Sequence, residues 1–144
     1  MTYYKLNPEV PGHFGDDAEL ERVNNTFEVK KMHLVFDGWQ GDDLLTNHPV
    51  FMVTERLKDA ISKFPLSGFS VTRIDNIETS EEYETFFGNK EIPPIFWLKV
   101  IGNPYIDDFG INEDNDLVVS QKTLDIMQKF NMNLCRVEAV EGEK

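Results

Sequence analysis

"VTERLKDAISKFPLSGFSV", residues 53 to 71, and "VSQKTLDIMQKFNMNLCRV", residues 119 to 137, decide how this chain is read. In each, an apolar residue leads into a Thr or Ser suited to a helix N-cap, whose hydroxyl oxygen can accept from an otherwise unbonded amide of the first turn. Glu55 adds negative charge to the first turn of the earlier stretch, where the helix dipole favours it. Leu57, Ala60, Ile61 and Phe64 recur at helical spacing, as do Leu124, Met127 and Phe130, so amphipathic helices are expected over 55–64 and 121–130. Pro65 and Gly68 end the first, and each stretch then leaves as a strand. The two stretches align at a constant offset of 66 residues, pairing Val53 with Val119, Thr54 with Ser120, Asp59 with Asp125, Ile61 with Met127, Lys63-Phe64 with Lys129-Phe130, Leu66 with Met132 and Val71 with Val137. Either an internal duplication or convergence on one strand–capped-helix–strand grammar produces such a match.

Outward from these stretches, "PVFMV", "FSVTRIDNI", "PPIFWLKVIG", "LVVS" and "NLCRVEAV" read as strands, with the two prolines of the third confined to its start. Ser80 caps a short helix, "EEYETFF", closed by Gly88. "TFEVKKMHLVF", residues 26 to 36, has the β-branched and aromatic content of one strand. Residues 1–25 are expected to be peripheral, with "YYKL" as a short strand and "NPEVPGHFGDD" as loop. A helix face hidden only by packing on a sheet implies a two-layer α+β fold, with two or three short helices, built from two similar strand–helix–strand units. The 144 residues are most simply one domain, 1–144, with 53–71 and 119–137 as the possible internal repeat.

Composition narrows function. A chain of this length buries roughly 68–70% of its unfolded surface, and 40% hydrophobic residues supply a core. One cysteine, Cys135, excludes an internal disulfide and fits a reducing compartment. No apolar run approaches the ~20 residues of a membrane helix. "MTYYKLNPEV" has neither the basic start nor the apolar stretch of a signal peptide, so a cytoplasmic setting is expected. Twenty-six acidic residues against fourteen basic ones give a formal net charge of −12. That surplus repels nucleic acid and anionic membrane, and speeds encounter with basic partners. Solubility alone would also account for it.

Catalytic signatures are missing. There is no G-x-x-x-x-G-K-[ST], G-x-G-x-x-G, G-x-S-x-G or H-E-x-x-H, and His13, His33 and His48 are isolated in sequence. No cofactor is implied. Cys135, on an apolar strand, reads as a small buried hydrophobe. "NEDND", residues 112 to 116, departs from a calcium loop, since Leu117 stands where glycine is needed and Thr123 where a bidentate Glu is needed. The paired carboxylates Asp42-Asp43 and Asp107-Asp108 can serve turn chemistry, or can hold a metal for a small hydrolase.

"DGWQGDD", residues 37 to 43, sets Trp39 between two glycines and among Asp37, Asp42 and Asp43. Its ring is either core or an interface anchor with a charged rim. "PYIDDFG", residues 104 to 110, repeats the recipe with Tyr105 and Phe109 around Asp107 and Asp108. These eight residues are the candidate partner-binding set. From about residue 30 to 137, "FDGWQGDDLL", "VFMVTERLKDAI", "PPIFWLKVIG" and "DDFGINEDNDLVVSQKTLDIMQKFNMN" resemble the small bacterial immunity proteins of polymorphic toxin systems, in particular immunity family eleven, first catalogued as an uncharacterised domain. The resemblance implies a non-enzymatic protein that neutralises a cognate toxin by tight stoichiometric binding; the charge adds the expectation that the toxin is basic, with no nucleic-acid or membrane partner. It carries over no site residues. The competing expectations are a metal-dependent hydrolase using Asp42, Asp43, Asp107 or Asp108, and an adaptor that self-associates through a sheet edge; the oligomeric state is left open.

Overall fold

Residues 2–141 are described by a computed structural model, in which the elements follow one another in a β-rich order. The chain opens with β1 (Thr2–Asn7), β2 (Gly12–Phe14), the hairpin of β3 (Glu19–Val23) and β4 (Thr26–Lys31), and β5 (Leu34–Phe36). A hairpin of β6 (Leu44–Asn47) and β7 (Val50–Thr54) runs into α1 (Glu55–Ser62), and β8 (Phe69–Arg73), β9 (Ile77–Thr79), α2 (Glu81–Phe87) and β10 (Ile95–Val100) come next. A second hairpin, β11 (Phe109–Ile111) and β12 (Leu117–Ser120), runs into α3 (Gln121–Met127), and β13 (Arg136–Glu141) closes the described chain. The fold is α+β and mostly sheet.

Two four-stranded antiparallel sheets dominate, in the orders β6-β7-β10-β8 and β11-β12-β1-β13. Each places a hairpin beside a strand from a distant part of the chain, and then the strand that leaves the helix. The registers correspond. In the first sheet Leu98 of β10 pairs with Phe51 and Val71; in the second Leu6 of β1 pairs with Leu117 and Val137. Phe51 and Val71 stand 66 residues before Leu117 and Val137. A smaller sheet, β2-β5-β9, and the β3-β4 ribbon lie beside them.

The sequence of β7, "VFMVT", is apolar on both faces because both faces are covered. Phe51 and Val53 join a core with Leu57 and Ile61 of α1, Leu98, Leu6, Phe109, Leu117, Val119 and the α3 residues Leu124 and Met127. Val50 and Met52 join a second core with Leu34, Phe36, Leu45, Ile95 and Tyr83 of α2. Period-two alternation thus splits one strand between two cores, and α1 and α3 share the first.

Five expectations are corrected. Residues 2–7 are not peripheral: β1 is an inner strand, with Leu6 only 1% exposed. Residues 26–36 break into β4 and β5, which belong to different sheets. "FSVTRIDNI" divides into β8 and β9, and "NPEVPGHFGDD", read as loop, carries β2, with β3 following just beyond it. Helices α1 and α3 end at Ser62 and Met127, short of Phe64 and Phe130.

Candidate functional site

The acidic residues that the sequence marks out are met here one at a time, beginning with Asp43. It lies just before β6, is 2% exposed, and pairs across the hairpin so that its carbonyl accepts from the Thr54 amide at 3.0 Å. Its side chain is fully engaged. Oδ1 accepts from the Thr54 hydroxyl at 2.6 Å and Arg56 Nε at 2.8 Å, and Oδ2 accepts from Arg56 Nη2 at 2.7 Å. Oδ2 also accepts from the Asn131 amide at 2.8 Å, in the loop beyond α3. Arg56 is held over the Phe130 ring, 5.5 Å from its centre. Burial would push the Asp43 carboxyl up, but the Arg56, Thr54 and Asn131 donors outweigh it and hold the group below its ordinary value.

Asp108 repeats the arrangement before the second hairpin. Its carbonyl accepts from the Ser120 amide at 3.0 Å, its Oδ1 from the Ser120 hydroxyl at 2.7 Å, and its Oδ2 from the Ser67 amide at 2.9 Å, in the loop beyond α1. Each aspartate therefore ties the start of the helix that follows it to the end of the other helix. Asp42, fully buried, extends the tie, with its two oxygens accepting from the amides of Asn133 and Leu134 at 2.9 and 2.8 Å. Asp107 closes its own turn by accepting from the Asn103 amide at 2.7 Å. These are loop-amide and cap contacts, the chemistry aspartate brings to turns. The close packing that goes with them needs Gly68, at φ +97°, since a Cβ there would lie 2.4 Å from the Phe109 carbonyl oxygen.

The candidate partner-binding set consequently divides. Asp42, Asp43 and Phe109 are inside: Phe109 is fully buried, its ring centre 4.7 Å from that of Phe69. Their side chains are buried, not set out as the exposed rim read from the sequence, although Asp43 still contributes to the lining of one hollow. Asp37, Trp39, Tyr105, Asp107 and Asp108 keep partial exposure. Tyr105 sits at φ +70° with its ring edge-on to Tyr3 at 5.7 Å. The two hollows that loop 37–43 borders take no residue from 104–110.

Trp39 is partly core. Its ring packs on the second core, and its indole N–H donates to the Asp42 carbonyl at 2.8 Å, yet it stays partly exposed. Lys90 Nζ lies 5.1 Å from the ring centre. A hollow of about 800 Å³ opens there, lined among others by Trp39, Glu55, Arg56, Lys90, Glu91 and Ile92. On the other side of the same loop a second hollow of about 550 Å³ is lined by Glu9, Val10, Pro11, Asp37, Phe87 and Leu134 with their neighbours. Gln40 borders both.

Glu9 was not legible as a site residue, because "NPEVPG" has no periodicity to mark a buried position. It is 6% exposed, and its carboxylate accepts from the Gln40 amide at 2.7 Å and the Asp42 amide at 3.4 Å. Burial pushes its carboxyl above the ordinary value, and those two amides offset only part of the effect. A raised value means that its contribution to stability is full below pH 4.5, the unfolded value, and is lost as pH rises through the folded one. Asp43, lowered, works the other way, and its contribution is lost only when pH falls below 3.8. Melting temperatures measured from pH 3 to 8 should therefore fall less steeply above pH 4.5 in Glu9→Gln than in the parent chain.

Two candidate nucleophiles, the Ser80 hydroxyl and the Cys135 thiol, are set unfavourably for attack. His13 Nδ1 is 2.8 Å from Asp37 Oδ2, and the Ser80 hydroxyl, together with His13, lowers the Asp37 carboxyl below its ordinary value. Here the acid stands between serine and histidine, whereas activation of a serine needs the histidine between them. Burial pushes the Cys135 thiol up to about 11. In "NEDND" the Asn112 side chain accepts from the Asp114 and Asp116 amides, both at 2.9 Å, as a turn. No three His, Cys, Asp or Glu side chains among the described residues are grouped as metal ligands. No described helix is long and apolar enough to cross a membrane. No family model, curated protein or solved structure matches the chain.

Proposed function

We propose that this chain is a cytoplasmic immunity protein that neutralises a basic protein toxin by stoichiometric binding, in line with its resemblance to immunity family eleven. The observation that carries the reading is Trp39: an aromatic ring kept partly exposed on a loop flanked by two open hollows, in a chain of net charge −12. Surplus negative charge steers a cationic partner, and a seated aromatic anchor slows its release. A non-enzymatic role is supported by where the carboxylates go, since Asp42, Asp43 and Asp108 are committed to internal amides, hydroxyls and Arg56. The test is co-expression with the products of the neighbouring genes. A stable complex with a basic protein is expected. Trp39→Ala should weaken it about 100-fold, roughly 2.7 kcal/mol, as read by calorimetry. Absence of a complex with any neighbouring product would sink the reading.

We also infer that the fold is two-layered and made of two related units, hairpin–helix–strand each, joined by a local two-fold relation. The matched registers about Leu98 and Leu6 support this, as do the matched aspartate contacts at Thr54 and Ser120. In the second unit the inner strand comes from β1, far upstream of its hairpin, whereas in the first unit β10 follows the hairpin.

A further inference from the structure

The hollow of about 550 Å³ beside loop 37–43 has a composition that specifies what fits it. Its lining is part polar and part apolar, and two of the apolar residues are open to water: Val10 is 63% exposed and Leu134 50%, with the buried Pro11 and half-buried Phe87 beside them. Its charged lining is Glu9 and Asp37, and no lysine or arginine among the described residues lines it. Glu9 is the telling group. Glu9 is 6% exposed as a whole residue, and no ion pair to its carboxylate occurs among the described residues. Its partners are two backbone amides, which leaves acceptor capacity, since an ionised carboxylate can take about four donors. Asp42 adds like charge nearby, and Lys90, whose charge Glu9 also feels, is placed over the Trp39 ring in the other hollow. Asp37 is more nearly satisfied, through His13 and Ser80.

A desolvated anion without a countercharge is costly, and a cation brought to it recovers the difference. A cationic side chain on a long aliphatic stem meets both needs of this hollow, because the stem covers apolar wall while the head reaches the carboxylate. We propose that this hollow receives one arginine or lysine side chain from the basic protein partner. The proposal deepens the binding reading above and rests on it for the identity of the partner, though not for the chemistry of the hollow.

The experiment uses the full chain and defined probes, the N-acetyl methylamides of arginine, lysine and norleucine, titrated against the ¹⁵N-labelled protein. Arginine or lysine should give saturating shifts at the amides of Gly12, Gly38 and Gln40, with a Kd of roughly 5 mM. Norleucine, which lacks the charge, should bind at least tenfold more weakly. Glu9→Gln should weaken the cationic probes about tenfold, and Leu134→Ser, at a position already half exposed, several-fold. Should Glu9→Gln fail to fold, Leu134→Ser and the norleucine comparison decide. Equal shifts from all three probes, shifts that do not saturate, or cationic binding untouched by the substitutions would overturn the proposal. The two readings fail separately: a cationic response in a chain that forms no toxin complex keeps the hollow and removes the immunity role. A toxin complex indifferent to Glu9→Gln and Leu134→Ser does the reverse.

Discussion

Asp43→Ala is expected to lower the melting temperature by about 10 °C, corresponding to roughly 3 kcal/mol for a chain of this size. The substitution removes acceptors from the Thr54 hydroxyl, the Arg56 guanidinium and the Asn131 amide together. Arg56 is 59% exposed and can turn to solvent, so the loss falls short of that for a wholly buried ion pair. The Thr54 and Asn131 donors have less freedom, because each belongs to backbone fixed by a helix end. Asp43→Asn should cost less, since an amide oxygen still accepts one of these bonds. Thermal melts of the three chains at neutral pH check the order. A melting temperature unchanged in Asp43→Ala would show that the carboxylate is held in place without holding anything itself.

Phe109→Ala is expected to cost about 4 kcal/mol. The ring is fully buried, packs against Phe69, and belongs to the core that joins both large sheets to α1 and α3. Truncation leaves a cavity bordered by β-strands and the tight Gly68 turn, which has little room to collapse inward. The same variant separates core from anchor. If enough folded protein remains at low temperature, partner affinity should be close to that of the parent chain, whereas Trp39→Ala should keep its stability better and lose affinity. Calorimetry beside thermal melts reads both. Affinity lost with stability retained in Phe109→Ala would return the residue to the binding surface.

The parts of the fold legible in the sequence were those governed by short-range rules. Thr54 and Ser120 sit at the expected cap positions, though only the Ser120 hydroxyl accepts a first-turn amide while that of Thr54 donates to Asp43, and Leu57 and Ile61, like Leu124 and Met127, are buried at the expected spacing. What the sequence hid was set at long range. β1 reads as a marginal strand by itself, and becomes an inner one because β12 and β13 close on either side of it. β6 was concealed by "DDLLTN", in which the aspartates look like a turn that should interrupt a strand; they do make loop contacts, but with residues such as Asn131 and Asn133, far away in sequence. The same blindness affected the candidate site. Acid beside aromatic describes an exposed rim and a buried cap-and-core arrangement equally well. Only partners such as the Asn131, Leu134 and Ser67 amides distinguish the two. Glu9 stayed invisible for the complementary reason, as a carboxylate buried by a chain segment with no periodic pattern.

The aspartates' role as ties between the two helices is tested most directly by amide hydrogen exchange on Asp43→Asn and Asp108→Asn chains. Protection should fall at Asn131 in the first and at Ser67 in the second, each in the loop beyond the helix whose start the altered residue does not contact. Unchanged protection at both amides, with any loss confined to Thr54 and Ser120, would contradict it.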